Sequence, residues 1–253
     1  MTRLVKGIIL RKQDYRESDR LFVIYTNELG KISAIAKGAR KIKSKMAGHL
    51  ELFYVINLMV APGKTNYQIA GAEGKENFKN IKSDLVKNVL ASFCLEVADI
   101  FTKNDSPDLK VYELLYEFLK IFDKEKDKNI FKLYILSKFF VLKLLSLLGF
   151  APELYTCVKC KKKITPNGNF FDAARGGLAC GQCGKSELPI STAAIKILRF
   201  VLQNDFKKIA ALKINRTNVK ELVKIIDAFV AVHQDRELKS VVWISHLTQT
   251  LKI

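Results

Sequence analysis

An α+β fold is predicted by three observations. Apolar residues alternate with polar ones over residues 1–74 and recur with a period near 3.6 from residue 80 onward. The helical pattern is interrupted once, by two cysteine pairs, Cys157-x-x-Cys160 and Cys180-x-x-Cys183, with nineteen residues between them.

The alternating part resolves into five strands, near residues 4–11, 20–26, 31–37, 52–60 and 67–72. Turns rich in Gly, Pro and Asn separate them, among them Asn27-Glu28-Leu29-Gly30 and Pro62-Gly63-Lys64-Thr65-Asn66. Five short strands suit a small closed barrel of the OB-fold type, which leaves one strand face and its loops for oligonucleotides. A first domain is therefore expected over residues 1–79.

The third strand runs into Ala36-Lys37-Gly38-Ala39-Arg40-Lys41-Ile42-Lys43-Ser44-Lys45, five cationic side chains in ten residues with no acid. Flexible cations neutralise phosphate without reading bases, and small residues let backbone amides approach it, so this segment is the expected phosphate contact. Tyr15, Phe22, Tyr25, Phe53, Tyr54 and Tyr67 are aromatic residues able to stack on bases, but alternation gives both strand faces packing duties, so core positions compete for them.

Helices are predicted over residues 84–101, from Ser106 as N-cap with Pro107 at the first helical position to about 122, and over 130–148 ending at Gly149. Residues 192–202, 218–232 and 241–251 complete an all-α domain over 80–253. The stretch 134–148 is apolar almost all round, as the central helix of a bundle should be.

Within that domain, residues 155–188 read as an inserted module. A C-x-x-C turn sets two sulfurs on one side of a tight knuckle, and two facing knuckles supply Cys157, Cys160, Cys180 and Cys183 as a closed tetrahedron for one structural Zn2+. Four thiolates leave no open position for an activated water. Gly181 and Gly184 are expected where the knuckle backbone turns, and Lys159, Lys161, Lys162 and Lys163 favour thiolate over thiol. Tetrahedral iron, a redox pair and disulfides are the alternatives. The fifth cysteine, Cys94, sits in a helical apolar pattern as a core residue.

The 253 residues, 49% of them hydrophobic, suffice for two or three packed units. The longest apolar stretch, 139–152, carries Lys143 and is too short to span a bilayer, and the apolar run after Arg3 is broken by Lys6 and Gly7 before it resembles a secretory signal. A soluble, cytoplasmic protein with no membrane partner is expected. The formal charge of +18 points to a polyanionic partner, most simply nucleic acid. Residues 1–80 hold 15 Lys and Arg against 7 Asp and Glu, whereas residues 81–154 hold 11 against 11, so the N-terminal unit leads. The C-terminal helices, with 11 against 5 over 191–253, come second. Residues 155–190 hold 6 against 2, falling to about +2 once a divalent ion and four thiolates are counted.

No catalytic constellation emerges. Gly63-Lys64-Thr65 is not a phosphate loop, because Leu58 stands where its first glycine belongs. His49, His233 and His246 are far apart, and the basic segment lacks the carboxylates a metal nuclease needs. A binding protein rather than an enzyme is expected.

Three blocks carry a resemblance. The first is Gly7-Ile8-Ile9-Leu10-Arg11, Tyr15-Arg16-Glu17-Ser18-Asp19 and Leu29-Gly30-Lys31 through Lys37-Gly38-Ala39-Arg40-Lys41. The second is Leu147-Leu148-Gly149-Phe150-Ala151-Pro152-Glu153-Leu154, the first cysteine pair, Phe171-Asp172-x-x-Arg175-Gly176-Gly177-Leu178 and the second pair; the third is Asp235-Arg236-Glu237-Leu238-Lys239-Ser240. In this order they resemble the RecO family of bacterial recombination mediators over essentially the whole chain. The resemblance implies binding of single- and double-stranded DNA, annealing of complementary strands, a RecR partner, and help in loading RecA onto DNA coated by single-strand-binding protein. It carries Lys37, Arg40 and Lys41 over as candidate DNA contacts. Lys43 and Lys45 join them on charge alone, and Arg11, which closes the first matching segment, completes the set. The competing function is an RNA-binding OB and zinc-ribbon protein of translation or transcription.

Overall fold

A computed structural model describes residues 2–44, 46–126 and 129–251. The chain divides into two compact units, Met1–Glu125 and Lys126–Ile253.

The first unit begins with a closed five-stranded barrel: β1 (Arg3–Tyr15), β2 (Asp19–Thr26), β3 (Gly30–Ala36), β4 (Tyr54–Ala61) and β5 (Tyr67–Asn77). The strand order around it is β1-β2-β3-β5-β4, antiparallel except for a short parallel β3–β5 closure at Ala34↔Tyr67 and Ile35↔Gln68. All five predicted strands form. β1 runs four residues past its expected end because Lys12, Gln13, Asp14 and Tyr15 pair by backbone with β2, beyond an irregularity at Ile9/Arg11.

Alternation decides what fills the barrel. Val5, Ile9, Phe22, Ile24, Ile32, Ala34, Ile56, Leu58, Val60 and Ile69 form the inner core. The opposite face is also covered: Ile8, Val23 and Tyr25 are buried, and the Tyr25 hydroxyl donates to the Asp108 carbonyl at 3.3 Å. Burial, helped by the charge of Asp108, pushes that phenol up to about 12, so it stays a donor.

Helices α1 (Lys79–Ser83), α2 (Leu85–Phe101) and α3 (Leu109–Lys124) belong to this unit, which therefore reaches well past residue 79. Asp99 explains why. Its carboxylate, buried on α2, lies 2.9 Å from Arg11 Nε of β1 and 3.5 Å from the Nζ of buried Lys31 of β3. Asp84 caps α2 through the Lys87 amide.

The start of α3 differs from expectation: the cap is Asp108, accepting from the Lys110 and Val111 amides, not Ser106 followed by Pro107. Ser106 and Pro107 are held instead against the β2–β3 turn, where Gly30 has φ +67° and a Cβ would stand 2.4 Å from the Ser106 carbonyl oxygen. Buried Lys87 donates to the Asp123 and Glu125 carbonyls, satisfying the end of α3.

In the second unit α4 (Ile130–Leu147) is buried nearly all round and packs against α5 (Thr192–Gln203), α6 (Phe206–Ala210) and α7 (Arg216–His233). It ends before Gly149, as predicted, and α8 (Ser240–Leu251) follows α7. Between α4 and α5 stand three short strands, β6 (Asn169–Asp172), β7 (Gly177–Ala179) and β8 (Leu188–Ile190), in the order β7-β6-β8. Lys143 donates to the Leu202 and Asn204 carbonyls at the end of α5. Among the described residues no helix is long and apolar enough to cross a membrane.

Replacing Asp99 by Asn should cost the first unit about 3 kcal/mol, because a charge that faces buried Lys31 and Arg11 is removed. Adding Lys31→Met should recover much of that loss. Hydrogen exchange of the barrel amides, read residue by residue, measures both.

Candidate functional site

The cationic segment leaves β3 as a series of tight turns pinned to the barrel wall. Ala39 is buried in the barrel core. The Gly38 amide donates to Asp19 Oδ1 at 2.8 Å, the Arg40 amide to the Ser18 carbonyl, and the Lys41 amide to the Gly38 carbonyl. These amides are committed inside the protein. The expectation that small residues free them for phosphate therefore gives way to a different arrangement, a braced turn from which side chains project.

Lys37, Lys41 and Lys43 are exposed on that turn. Arg40 is also exposed at its surface, but its guanidinium donates to the Arg16 and Glu17 carbonyls at 3.1 Å each and lies 3.4 Å from the Asp14 carboxylate. It braces the turn. Arg11 is similarly engaged, by Asp99 and by Gln13 Oε1 at 2.6 Å. Lys45 lies outside the described residues. The turn thus brings Lys37, Lys41 and Lys43 together on one short segment, while Arg11 and Arg40 hold the scaffold.

Of the aromatic candidates, Phe22, Tyr25 and Phe53 are buried and closed to a base. Tyr15, Tyr54 and Tyr67 are half-buried. The Lys82 ammonium sits 3.9 Å from the Tyr54 ring centre, and Arg16 lies 5.2 Å from that of Tyr15.

The four cysteines converge. The sulfurs of Cys157, Cys160, Cys180 and Cys183 all lie within 4.8 Å of one another, and among the described residues this is the one group of three or more metal-binding side chains. Sulfurs about 2.3 Å from a common centre stand roughly 3.8 Å apart in a tetrahedron. The Cys160 and Cys180 sulfurs are 3.8 Å apart.

Electrostatics agrees with a bound cation. Burial opposes charge on Cys157, but amides of Cys160, Cys180 and Lys159 outweigh it and bring the thiol down to about 6. The neighbouring Cys180 and Cys160 sulfurs push Cys183 up to about 12. Four thiolates cannot share so small a volume without a positive ion between them.

The module around them is held by short contacts. The Cys157 amide donates to the Lys162 carbonyl and the Ile164 amide to the Tyr155 carbonyl, closing the first knuckle as a hairpin. The glycines serve close approach: a Cβ on Gly184 would meet Phe170 Cβ at 2.7 Å, and one on Gly181 the Gly168 carbonyl at 2.8 Å. Asp172, almost fully buried, accepts from the Arg175 amide at 2.9 Å and its guanidinium at 3.1 Å, while Lys159 bridges Asp172 and Glu187 at 3.5 and 2.7 Å. Sequence reasoning gave Lys159 only a general role beside the thiolates, and it missed the Arg199 clamp on the Leu154 carbonyl. Neither partner is adjacent in sequence.

A five-stranded OB-like barrel bearing a cationic turn, in a chain with a four-cysteine module among helices, defines a nucleic-acid-binding class of architecture. A family model described as Recombination protein O N terminal matches residues 1–78, and one described as Recombination protein O C terminal matches residues 82–241. The chain is 34% identical over 246 residues to a protein of Dehalococcoides mccartyi strain 195 named DNA repair protein RecO, covering 96% of this chain and 95% of the relative. Proteins of the same name from Thermoanaerobacter sp. strain X514 and Alkaliphilus metalliredigens are 32% and 31% identical, over 97% and 91% of this chain and 98% and 93% of their own lengths. The chain belongs to the RecO family.

Substituting Cys157 by Ser should bring the bound metal toward zero and lower the melting temperature of the second unit by roughly 10 °C or more. Elemental analysis of the purified chain and calorimetry, with a chelator-treated wild type alongside, give the comparison.

Proposed function

We propose that the protein is a non-catalytic mediator of recombinational DNA repair. It binds single- and double-stranded DNA through Lys37, Lys41 and Lys43, on a surface braced by Arg40 and Arg11, and it anneals complementary strands. With RecR it helps RecA replace single-strand-binding protein. The four cysteines hold one Zn2+ that maintains the module and takes no part in chemistry.

The observation that carries this reading is the braced turn: three exposed lysines, no acid within residues 36–45, and a rigid attachment to the barrel. Annealing needs no reacting group. Two phosphate backbones repel, and a surface that neutralises them while leaving Watson–Crick edges alone raises the frequency of productive encounters. The RecO family membership and the DNA repair names of the relatives support the setting.

The test is annealing of two complementary labelled strands precoated with single-strand-binding protein. Wild type should accelerate pairing, and Lys37→Ala/Lys41→Ala should lose at least a factor of ten, with unchanged melting. Arg40 is a poorer choice for this purpose, since its loss would loosen the turn as well as remove charge. No acceleration by wild type, together with tighter binding to structured RNA than to single-stranded DNA, would replace the proposal with an RNA-binding function.

A further inference from the structure

We propose that the first cysteine hairpin is a second single-strand DNA surface, in which Lys161, Lys162 and Lys163 take phosphates and Tyr155 takes a base; this rests on the DNA-binding reading above and extends it to a site in the other unit.

Charge pairing singles these residues out. Residues 155–190 contain six cations and two acids. The acids Asp172 and Glu187 are already matched by Lys159 and Arg175. Lys161, Lys162, Lys163 and Lys185 are exposed and enter no ion pair among the described residues. A divalent ion with four thiolates leaves a charge of −2, which the Cys160 and Cys180 amides disperse by donating to the Cys157 sulfur at 3.5 and 3.4 Å. Glu153, which accepts from the Tyr155 and Thr156 amides at the base of the hairpin and attracts Lys161, adds one more negative charge. The four lysines still exceed the total, and three of them, Lys161, Lys162 and Lys163, face water on the hairpin.

The lysines stand on a fixed frame. The Cys157 amide donates to the Lys162 carbonyl and the Lys161 amide to the Cys157 carbonyl, with Thr156 bridged to Lys163 and Tyr155 bonded to Ile164. Lys161 adopts φ +62°, a left-handed conformation that glycine would enter without strain. A cation is kept at a position where the backbone favours glycine, which is the kind of local cost that accompanies a working surface.

Tyr155 supplies what a merely solvated lysine run lacks. It lies at the base of the same hairpin, half exposed, and its orientation is set before any ligand arrives: the Arg199 guanidinium is 4.4 Å from its ring centre and Gln203 donates to its hydroxyl at 2.6 Å. Cations along a backbone path beside a fixed aromatic ring are the elements of sequence-tolerant single-strand binding. A paired duplex offers no free base face to the ring, so the hairpin selects unpaired DNA. A chain with one strand surface on its barrel and another on its hairpin holds two strands at once, which turns their encounter into an event within one complex.

The experiment counts strands per chain. Full-length, metal-loaded protein is titrated at low salt with non-complementary oligonucleotides of about eight nucleotides, short enough for single sites, and read by native mass spectrometry. Two strands are expected for wild type and one for Lys161→Ala/Lys162→Ala/Lys163→Ala, with metal content and melting temperature unchanged. Tyr155→Leu should weaken the hairpin site about tenfold without altering its salt dependence. A wild type that holds one strand, or a hairpin variant that still holds two, overturns the proposal. The barrel reading is judged separately by Lys37→Ala/Lys41→Ala/Lys43→Ala: if that variant keeps both strands while the hairpin variant loses one, the hairpin site stands and the barrel turn is not the first site.

Discussion

Self-repulsion is the constraint that the rest of this structure answers to. The chain carries eighteen more cationic than acidic side chains, and a compact state must hold them close together. The fold does so by giving a share of them structural work. Lys87 and Lys143 close the carbonyl ends of α3 and α5, Lys31 and Arg11 converge on buried Asp99, and Lys138 pairs with Asp227. Acids brace the basic segments: Asp19 accepts from the Gly38 amide and Asp14 faces Arg40 on the cationic turn, and Asp172 accepts from the Arg175 amide in the cysteine module. The cations left on turns are then those that a polyanion can reach.

The cysteine module shows the same logic on a smaller scale. Its three strands have three or four residues each, too few to stand alone, and its apolar contribution centres on buried Phe171, packed edge-on against Phe229 of α7 at 5.9 Å. A metal held by the four clustered sulfurs would substitute for a larger core, because metal binding free energy becomes folding free energy. A divalent ion with four thiolates would carry a charge of −2 among the six cations and two acids of residues 155–190.

Much of this was legible in the sequence because the signals are local. Barrel strands alternate, Asp84 precedes its helix, Gly149 follows α4, and C-x-x-C fixes two sulfurs by chain geometry alone. What escaped was either short or distant. Helices α1 and α6 have five residues, less than two turns, so no periodicity could reveal them. Ser106 and Asp108 are both acceptable caps, and the choice depends on Gly30, which approaches from the other end of the unit's sequence. The partner of Lys31 is 68 residues away and that of Arg11 is 88. Composition could count the cations of the basic turn, but it could not tell Arg40, which faces three oxygen acceptors of its own chain, from Lys41, which faces water.

On the proposed reading this protein engages nucleic acid through phosphate charge, on turns whose backbone amides bond within the chain. The affinity for a single-stranded oligonucleotide, measured across a range of salt concentrations, decides it. Each neutralised phosphate contributes about −0.7 to the slope of log K against log salt. Contacts by the lysines of the barrel turn predict a linear decline with a slope of about −2 or steeper. An affinity that holds level as salt rises would contradict this reading, because binding would then rest on base contacts or apolar burial and not on phosphate charge.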